Sequence, residues 1–156
     1  MNSLFLRNLF FTLLQPGIVA ALIPFLILKV DPPQPYISFE IYHFFGGLFF
    51  LIGLFVMLKC INRFASEGKG TLSPADPTQE LVLGGLYRYS RNPMYVGVLF
   101  ILLGEAFVFR QISLIAYTLI VFAGFDLFIK LIEEPRLKKD FGEKYEVYCE
   151  KVRRWI

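Results

Sequence analysis

Ile41-Tyr42-His43-Phe44-Phe45-Gly46-Gly47-Leu48-Phe49-Phe50-Leu51-Ile52-Gly53-Leu54-Phe55-Val56-Met57-Leu58-Lys59-Cys60-Ile61 reads as one apolar helix. Its only full charge, Lys59, falls close to its C-terminal end. At about 1.5 Å per residue a run of this length covers roughly 30 Å, the thickness of a bilayer's hydrocarbon core. Gly46, Gly47 and Gly53 would let a second helix approach closely, as interfaces between membrane helices require.

The chain upstream repeats this character. Leu9 to Val30 is apolar, interrupted by Thr12 and Gln15 and punctuated by Pro16 and Pro24. Proline is tolerated in a membrane helix when neighbours satisfy the carbonyls it frees. Arg7 and the small residues Val19-Ala20-Ala21 raise the competing reading of a cleaved signal, but the run stays apolar beyond them, so a retained span is expected. Asp31-Pro32-Pro33-Gln34-Pro35 stops the helix. Downstream, Met94 to Phe109 and Ile112 to Ile132 are two further apolar runs, and Arg110-Gln111 joins them as a tight hairpin. Hydrophobic residues make up 56% of the chain and charged residues 19%, below the roughly 25% of soluble domains. The expected class is all-α: an integral membrane bundle of about four transmembrane helices with a C-terminal amphipathic cytosolic helix. The length suits a single membrane domain, residues 1–156, in which 1–61 carries two N-terminal transmembrane helices.

Charge sets the expected orientation. Lys59, Arg63, Lys69, Arg88 and Arg91 flank or occupy the long middle segment, and Lys130, Arg136, Lys138, Lys139, Lys144, Lys151, Arg153 and Arg154 crowd the tail. Only Lys29 and Arg110 lie near the short loops. The positive-inside rule then places both termini and the middle segment in the cytosol. The net charge of +3 forms no stripe for nucleic acid, and membrane lipids are the expected surroundings. The two cysteines, Cys60 and Cys149, lack metal-ligand spacing, and His43 is the only histidine, so no metal site is expected.

Three polar features interrupt this pattern. Residues 62–93 are too long and polar for a simple connection, and end in Gly84-Gly85-Leu86-Tyr87-Arg88-Tyr89-Ser90-Arg91-Asn92-Pro93-Met94-Tyr95-Val96-Gly97. Pro93 suits the first turn of the third helix, whose free N–H groups would favour an anionic group. An interfacial belt of tyrosine and arginine is the plainer reading. Glu133-Glu134 end the fourth run, where acids oppose the helix dipole and call for a partner; Arg136, Lys138 and Lys130 are the nearby cations. Asp126 lies two turns before Glu133 on nearly the same face, with Lys130 one turn on as a salt-bridge partner. Glu105 is expected to pair with Arg110 or reach the headgroups, and His43 to be structural. In the tail, Leu137, Phe141, Tyr145, Tyr148, Val152 and Trp155 recur at helical spacing, with a break near Phe141-Gly142.

Gly85-Leu86-Tyr87-Arg88-Tyr89-Ser90-Arg91-Asn92-Pro93-Met94-Tyr95-Val96-Gly97, then an apolar hairpin, Glu133-Glu134 and Phe141-Gly142-Glu143-Lys144-Tyr145, resembles the isoprenylcysteine carboxyl methyltransferase family. The likeness covers residues 68–156, and the same core is shared with phospholipid N-methyltransferases. It implies that 62–156 is a methyltransferase-like core with a cofactor-binding loop, a helical hairpin and a C-terminal cap. S-adenosylmethionine is the implied cofactor, held by Tyr87, Arg91, Asn92, Pro93, Tyr95, Gly97, Glu133 and Glu134. Asn92 stands where the family commonly has histidine; it can hydrogen-bond but not titrate. Asn92, Glu133 and Asp126 are the catalytic candidates, and Arg136, Arg153 and Arg154 the candidates for holding an acceptor carboxylate or phosphate. The implied reaction is methyl transfer to a lipophilic acceptor, led by carboxyl O-methylation of an isoprenylcysteine-like or other lipophilic acid. Phospholipid amine N-methylation follows. A nicotinamide-dependent membrane reductase and a non-enzymatic membrane protein are the readings from other classes. The oligomeric state stays open.

Overall fold

The structure is a computed structural model that describes residues 16–33, 40–67 with side chains to Arg63, and 81–156. Leu9 to Gln15 of the first apolar run, Gln34-Pro35 of the first loop, and Lys69 lie outside the described residues. A π turn, Ile18–Leu22, follows helical Pro16 and Gly17 and leads into α1 (Ile23–Val30). The long α2 is Ile41–Glu67. A 3-10 turn at Gly85–Arg88 precedes α3 (Pro93–Phe109), α4 (Ile112–Phe128), a second π turn (Ile129–Glu133), α5 (Glu134–Phe141) and α6 (Glu143–Lys151). The described residues are helical with connecting turns, as the composition implied. Two continuous helices are long and apolar enough to cross a membrane, Ile41–Arg63 and Ile112–Phe141; Ile18–Val30 and Pro93–Phe109 are shorter apolar helices.

Both π turns have the same cause. Each ends two residues before a proline, Pro24 and Pro135. A proline ring clashes with the carbonyl of the preceding turn and offers no N–H, so the helix widens ahead of it. In the widened register Ile23 N–H donates to the Ile18 carbonyl. The next bond would run from Pro24 to Val19, and Pro24 has no hydrogen to give. The Val19 carbonyl instead accepts from the Tyr117 hydroxyl of α4 at 2.9 Å. This repair of a freed carbonyl by a neighbouring helix ties the N-terminal helix to the hairpin.

The second π turn alters a register expected from the sequence. Five residues turning at the π rate lag the α-helix by roughly a quarter turn. Glu133 therefore does not share a partner with Asp126. Glu133 meets Tyr95, whereas Asp126 meets Lys130 and Trp155.

α2 and α3 pair antiparallel with their backbones in contact. A Cβ placed on Gly46 would come within 2.9 Å of the Gly104 carbonyl, and one on Gly53 within 2.7 Å of the Ile101 nitrogen. Gly47, by contrast, has nothing within 4 Å. The expected glycine face is thus used inside the chain by Gly46 and Gly53 alone. Buried Val98, Ile101 and Leu102 of α3 form the central core with Ala20, against Phe50, Tyr117 and Phe125. Large apolar side chains on α2 and α4 point outward, among them Phe44, Leu51, Phe55, Leu119 and Ile120. That much exposed hydrocarbon suits lipid rather than water.

Each end of the bundle has its own polar closure. At one end Arg110, in the left-handed conformation at φ 53°, ends α3 and turns the chain into α4. Its guanidinium lies 4.4 Å from the Tyr42 ring and 3.9 Å from Glu40, not on Glu105 as the sequence suggested. Gln111 donates to the Asp31 carbonyl at 2.9 Å, so the two short loops meet there. At the other end α5 continues α4 as far as Phe141, and the chain turns back into α6 at Gly142, whose φ of 53° and ψ of −129° suit only glycine. Tyr145, Tyr148 and Val152 are buried against Leu81, Leu137 and Phe141.

Candidate functional site

The segment before α3 and the end of the chain run side by side. Arg91 N–H donates to the Arg153 carbonyl at 2.9 Å. Asn92 Nδ2 donates to the Arg154 carbonyl at 3.0 Å, and its backbone N–H to Ser90 Oγ at 3.1 Å. Asn92 thus caps no N–H of α3 with its side chain; it fixes the tail instead. Below this seam, Tyr148 donates to the Tyr87 carbonyl at 2.6 Å.

Glu134 is the ionic centre. Arg154 holds it bidentately, with Nε and Nη2 each 2.8 Å from a carboxylate oxygen. Arg91 adds a contact at 3.1 Å. Such fork geometry is the strongest form of ion pairing, and the side chains are only 14% to 29% exposed. The same bonds raise Arg154 further above its ordinary range. Arg91 also donates to Cys149 Sγ at 2.7 Å. The cations nearest in sequence, Lys130 and Lys138, are taken by Asp126 and Glu146. Trp155 reaches past this centre to Asp126 at 3.1 Å and packs its ring on Phe122 at 5.0 Å.

Beside the ionic centre lies an apolar groove of about 430 Å³, within the roughly 300–1,000 Å³ of small-molecule sites. Ile18 and Val19 of the first π turn form one wall, Met94 and Val98 of α3 a second, Phe125 and Phe128 of α4 a third. Its polar groups are Tyr95, Glu133 and Arg136. Tyr95 donates to Glu133 at 3.0 Å, with its ring 4.6 Å from Phe125.

The structure gathers most of the residues singled out in the sequence. Arg91, Asn92, Glu134 and Arg154 form the ionic centre; Tyr95, Glu133 and Arg136 line the groove. Asp126 sits at the edge of the centre, held by Lys130 and Trp155, and Arg153 is exposed, its carbonyl accepting from Arg91. Pro93 is buried at the start of α3. Gly97 faces α2, 3.0 Å from the Gly53 carbonyl by its Cβ position, and not the groove. Tyr87 lies beneath the seam with Cys60 and Val82. Ser90, Tyr148, Cys149 and the groove wall of Met94, Phe125 and Phe128 went unmarked in the sequence as site residues. Ser90 and Met94 stand inside the quoted stretch that ends at Gly97, and the tail periodicity places Tyr148 on a buried face.

Burial governs the tyrosines around the seam. It pushes Tyr148 up to about 12, and Tyr87 and Tyr145 also well up, with Cys60 adding to Tyr87. All three are neutral hydrogen-bonding groups at physiological pH. A phenol whose folded pKa exceeds its unfolded value of about 10 gives its full stabilisation below pH 10 and loses it as pH rises through the folded value. Thermal unfolding in detergent is therefore expected to be level from neutral pH to about 9 and to fall at higher pH. Tyr148→Phe should cost about 1–2 kcal/mol at pH 7 by leaving the Tyr87 carbonyl unpartnered, and unchanged unfolding would remove Tyr148 from the seam.

Two helices long and apolar enough to cross a membrane, with much exposed hydrocarbon, mark a membrane protein, and its polar candidate site is gathered at one end of the bundle. The family can be named. A sequence profile of the phospholipid methyltransferases matches residues 41–144, well over half of the chain, and the chain belongs to that family. The family is one of methyltransferases with lipophilic substrates, and its members generally use S-adenosylmethionine. No curated protein and no solved structure matches the chain.

Proposed function

We propose that this chain transfers a methyl group from S-adenosylmethionine to a lipophilic acceptor at the cytosolic face of the membrane. The observation that carries the reading is the apolar groove ending at Tyr95, Glu133 and Arg136, directly beside the Glu134 centre that joins the two polar segments. Four crossings with both termini inside fit the charge distribution, and the shared closure of the two short loops fits their lying on the opposite side. The tail helices α5 and α6 then form a cytosolic cap with an amphipathic face turned to the bundle.

The residues present suit the cofactor. Its ammonium and ribose hydroxyls match a carboxylate such as Glu133, its adenine a wall containing Phe125, and its carboxylate a guanidinium. When bound it supplies an electrophilic methyl on a sulfonium with a neutral thioether leaving group. Glu134, held by two arginines, acts by fixing the tail over the site. Arg91 and Asn92 position the same tail, and Tyr95 orients Glu133. The groove walls exclude water around the transferred methyl group.

Carboxyl methylation of a lipophilic acid leads, because an ionised carboxylate needs no general base. The family match favours the second reading, methylation of a phospholipid amine, for which Glu133 would serve as proton acceptor. Incubation of the purified protein with methyl-labelled S-adenosylmethionine and lipid extracts decides between them. Label released by mild alkali marks an ester and the first reading; alkali-stable label on a phospholipid headgroup marks the second. No transfer to any lipid, by protein shown to be folded, would sink both.

A further inference from the structure

The first helix is held to the bundle by a narrow face. Leu22, Phe25 and Leu26 point outward, while Ala20 and Pro24 are buried. Among the described residues two hydrogen bonds tie it to the rest: Gln111 to the Asp31 carbonyl at one end, and Tyr117 to the Val19 carbonyl near the other. The second bond exists because Pro24 has no N–H to give that carbonyl. Ile18 and Val19 are a wall of the groove, so this bond fixes how far the wall stands from Val98 and Phe125. Tyr117 itself is no part of the lining. Its hydroxyl also has a second acceptor. Glu105 stands five residues before Arg110 and Tyr117 six after Gln111, so along the hairpin they lie at about one depth. The Glu105 carboxyl acts electrostatically on the Tyr117 hydroxyl, and its Oε2 is buried without a hydrogen-bond partner. A phenol has one proton, so it can serve the Val19 carbonyl or Glu105 but not both. Either choice strands one acceptor and satisfies the other, which is the condition for an element with two positions.

We propose that Tyr117 is a positioning residue that sets the width of the groove and so the bulk of molecule it admits. Bonded to Val19 it holds the first π turn in, and the groove takes one apolar chain. Turned to Glu105 it lets that wall stand off, and the groove takes more. The volume of about 430 Å³ lies in the lower half of the range of small-molecule sites, which suits one chain rather than two. This rests on the methyl-transfer reading for its purpose, but not for its test.

The test is a competition on the full chain in neutral detergent, read by native mass spectrometry. Palmitoyl lysophosphatidylethanolamine and dipalmitoyl phosphatidylethanolamine are supplied in equal amounts; they share a head and differ in chain number. The wild type should hold the one-chain lipid over the two-chain lipid by at least about threefold. Two variants release the wall in different ways. Tyr117→Phe removes the donor and leaves the Val19 carbonyl unpartnered. Pro24→Ala gives the helix back an N–H and relieves the need for Tyr117. Both should bring the ratio close to one, although their effects on the helix itself are opposite. Glu105→Leu removes the competing acceptor and should raise the ratio at least about twofold. Thr118→Val is the control: its buried hydroxyl donates to the Leu114 carbonyl at 2.7 Å within α4, and its loss should leave the ratio unchanged. Equal holding of both lipids by the wild type would overturn the proposal. So would a Tyr117→Phe protein that binds less of both lipids at the wild-type ratio, since the bond would then be structural only. The expected ratios in a protein that methylates no lipid would uphold the role of Tyr117 and sink only the methyl-transfer reading.

Discussion

Glu134→Ala is expected to lower unfolding free energy by about 2–3 kcal/mol and to free the end of the chain. Removing one partner of a fully buried ion pair costs about 3–5 kcal/mol, because the other charge is left without compensation. Here two guanidiniums are stranded at once, Arg91 and Arg154, and both are partly open to water at 14% and 29% exposure, which reduces the cost for each. With the carboxylate gone, their like charges also repel. The seam made by Arg91 with Arg153 and by Asn92 with Arg154 then lacks its anchor. Trp155 reports this directly, because it is the only tryptophan in the chain and bonds to Asp126. Its fluorescence should shift to the red in Glu134→Ala and in Arg154→Ala. A double-mutant cycle between these positions should return a coupling of more than about 1 kcal/mol. Additive losses, or an unmoved Trp155 spectrum, would show that Glu134 does not hold the tail. S-adenosylmethionine binding should weaken in step with tail release.

The origin of this centre explains what the sequence could and could not convey. Apolar runs separated by prolines are a property of composition, and α3, the hairpin and the break at Gly142 fall where those runs and breaks predict, while α2 runs on past Ile61 to Glu67, into the segment expected as a polar loop. The polar clusters were also visible, because charge next to lipid is rare enough to attract attention. Their partners were not. Glu134 sits beside Arg136 in sequence, yet it pairs with Arg91 and Arg154, which arrive only when the tail folds back. Helical spacing put Asp126 and Glu133 on one face, and the π turn ahead of Pro135 separated them. Pro24 and Pro135 were legible as interruptions, but widening, kinking and breaking are all open to a proline, and the neighbours decide among them. The groove depended on both π turns and on the α3 register, so it had no local signature.

That register is where the largest loss of stability is expected. Gly53→Ala and Gly104→Ala should each cost at least about 2 kcal/mol, at the upper end of overpacking effects. A methyl on Gly104 would lie 2.6 Å from the Phe50 nitrogen, and one on Gly53 would lie 2.7 Å from the Ile101 nitrogen. Both obstacles are backbone within helices, so no rotamer change relieves them and α3 must move away from α2. Gly47→Ala provides the opposite sign. It has nothing within 4 Å, and alanine gains up to about 1 kcal/mol over glycine in a helix. Thermal unfolding of the three variants in one detergent checks the contrast, and equal behaviour would mean that backbone contact does not set the α2–α3 distance. The consequence reaches the groove, because Tyr95 leaves α3 on the side opposite Gly97 and Gly104 and lines the groove. Displacing α3 moves Tyr95 relative to Glu133 on the second π turn, and their 3.0 Å bond has little slack. Gly104→Ala should therefore reduce methyl transfer more than tenfold, although it touches no residue of the site. Gly47→Ala should leave the rate where it was.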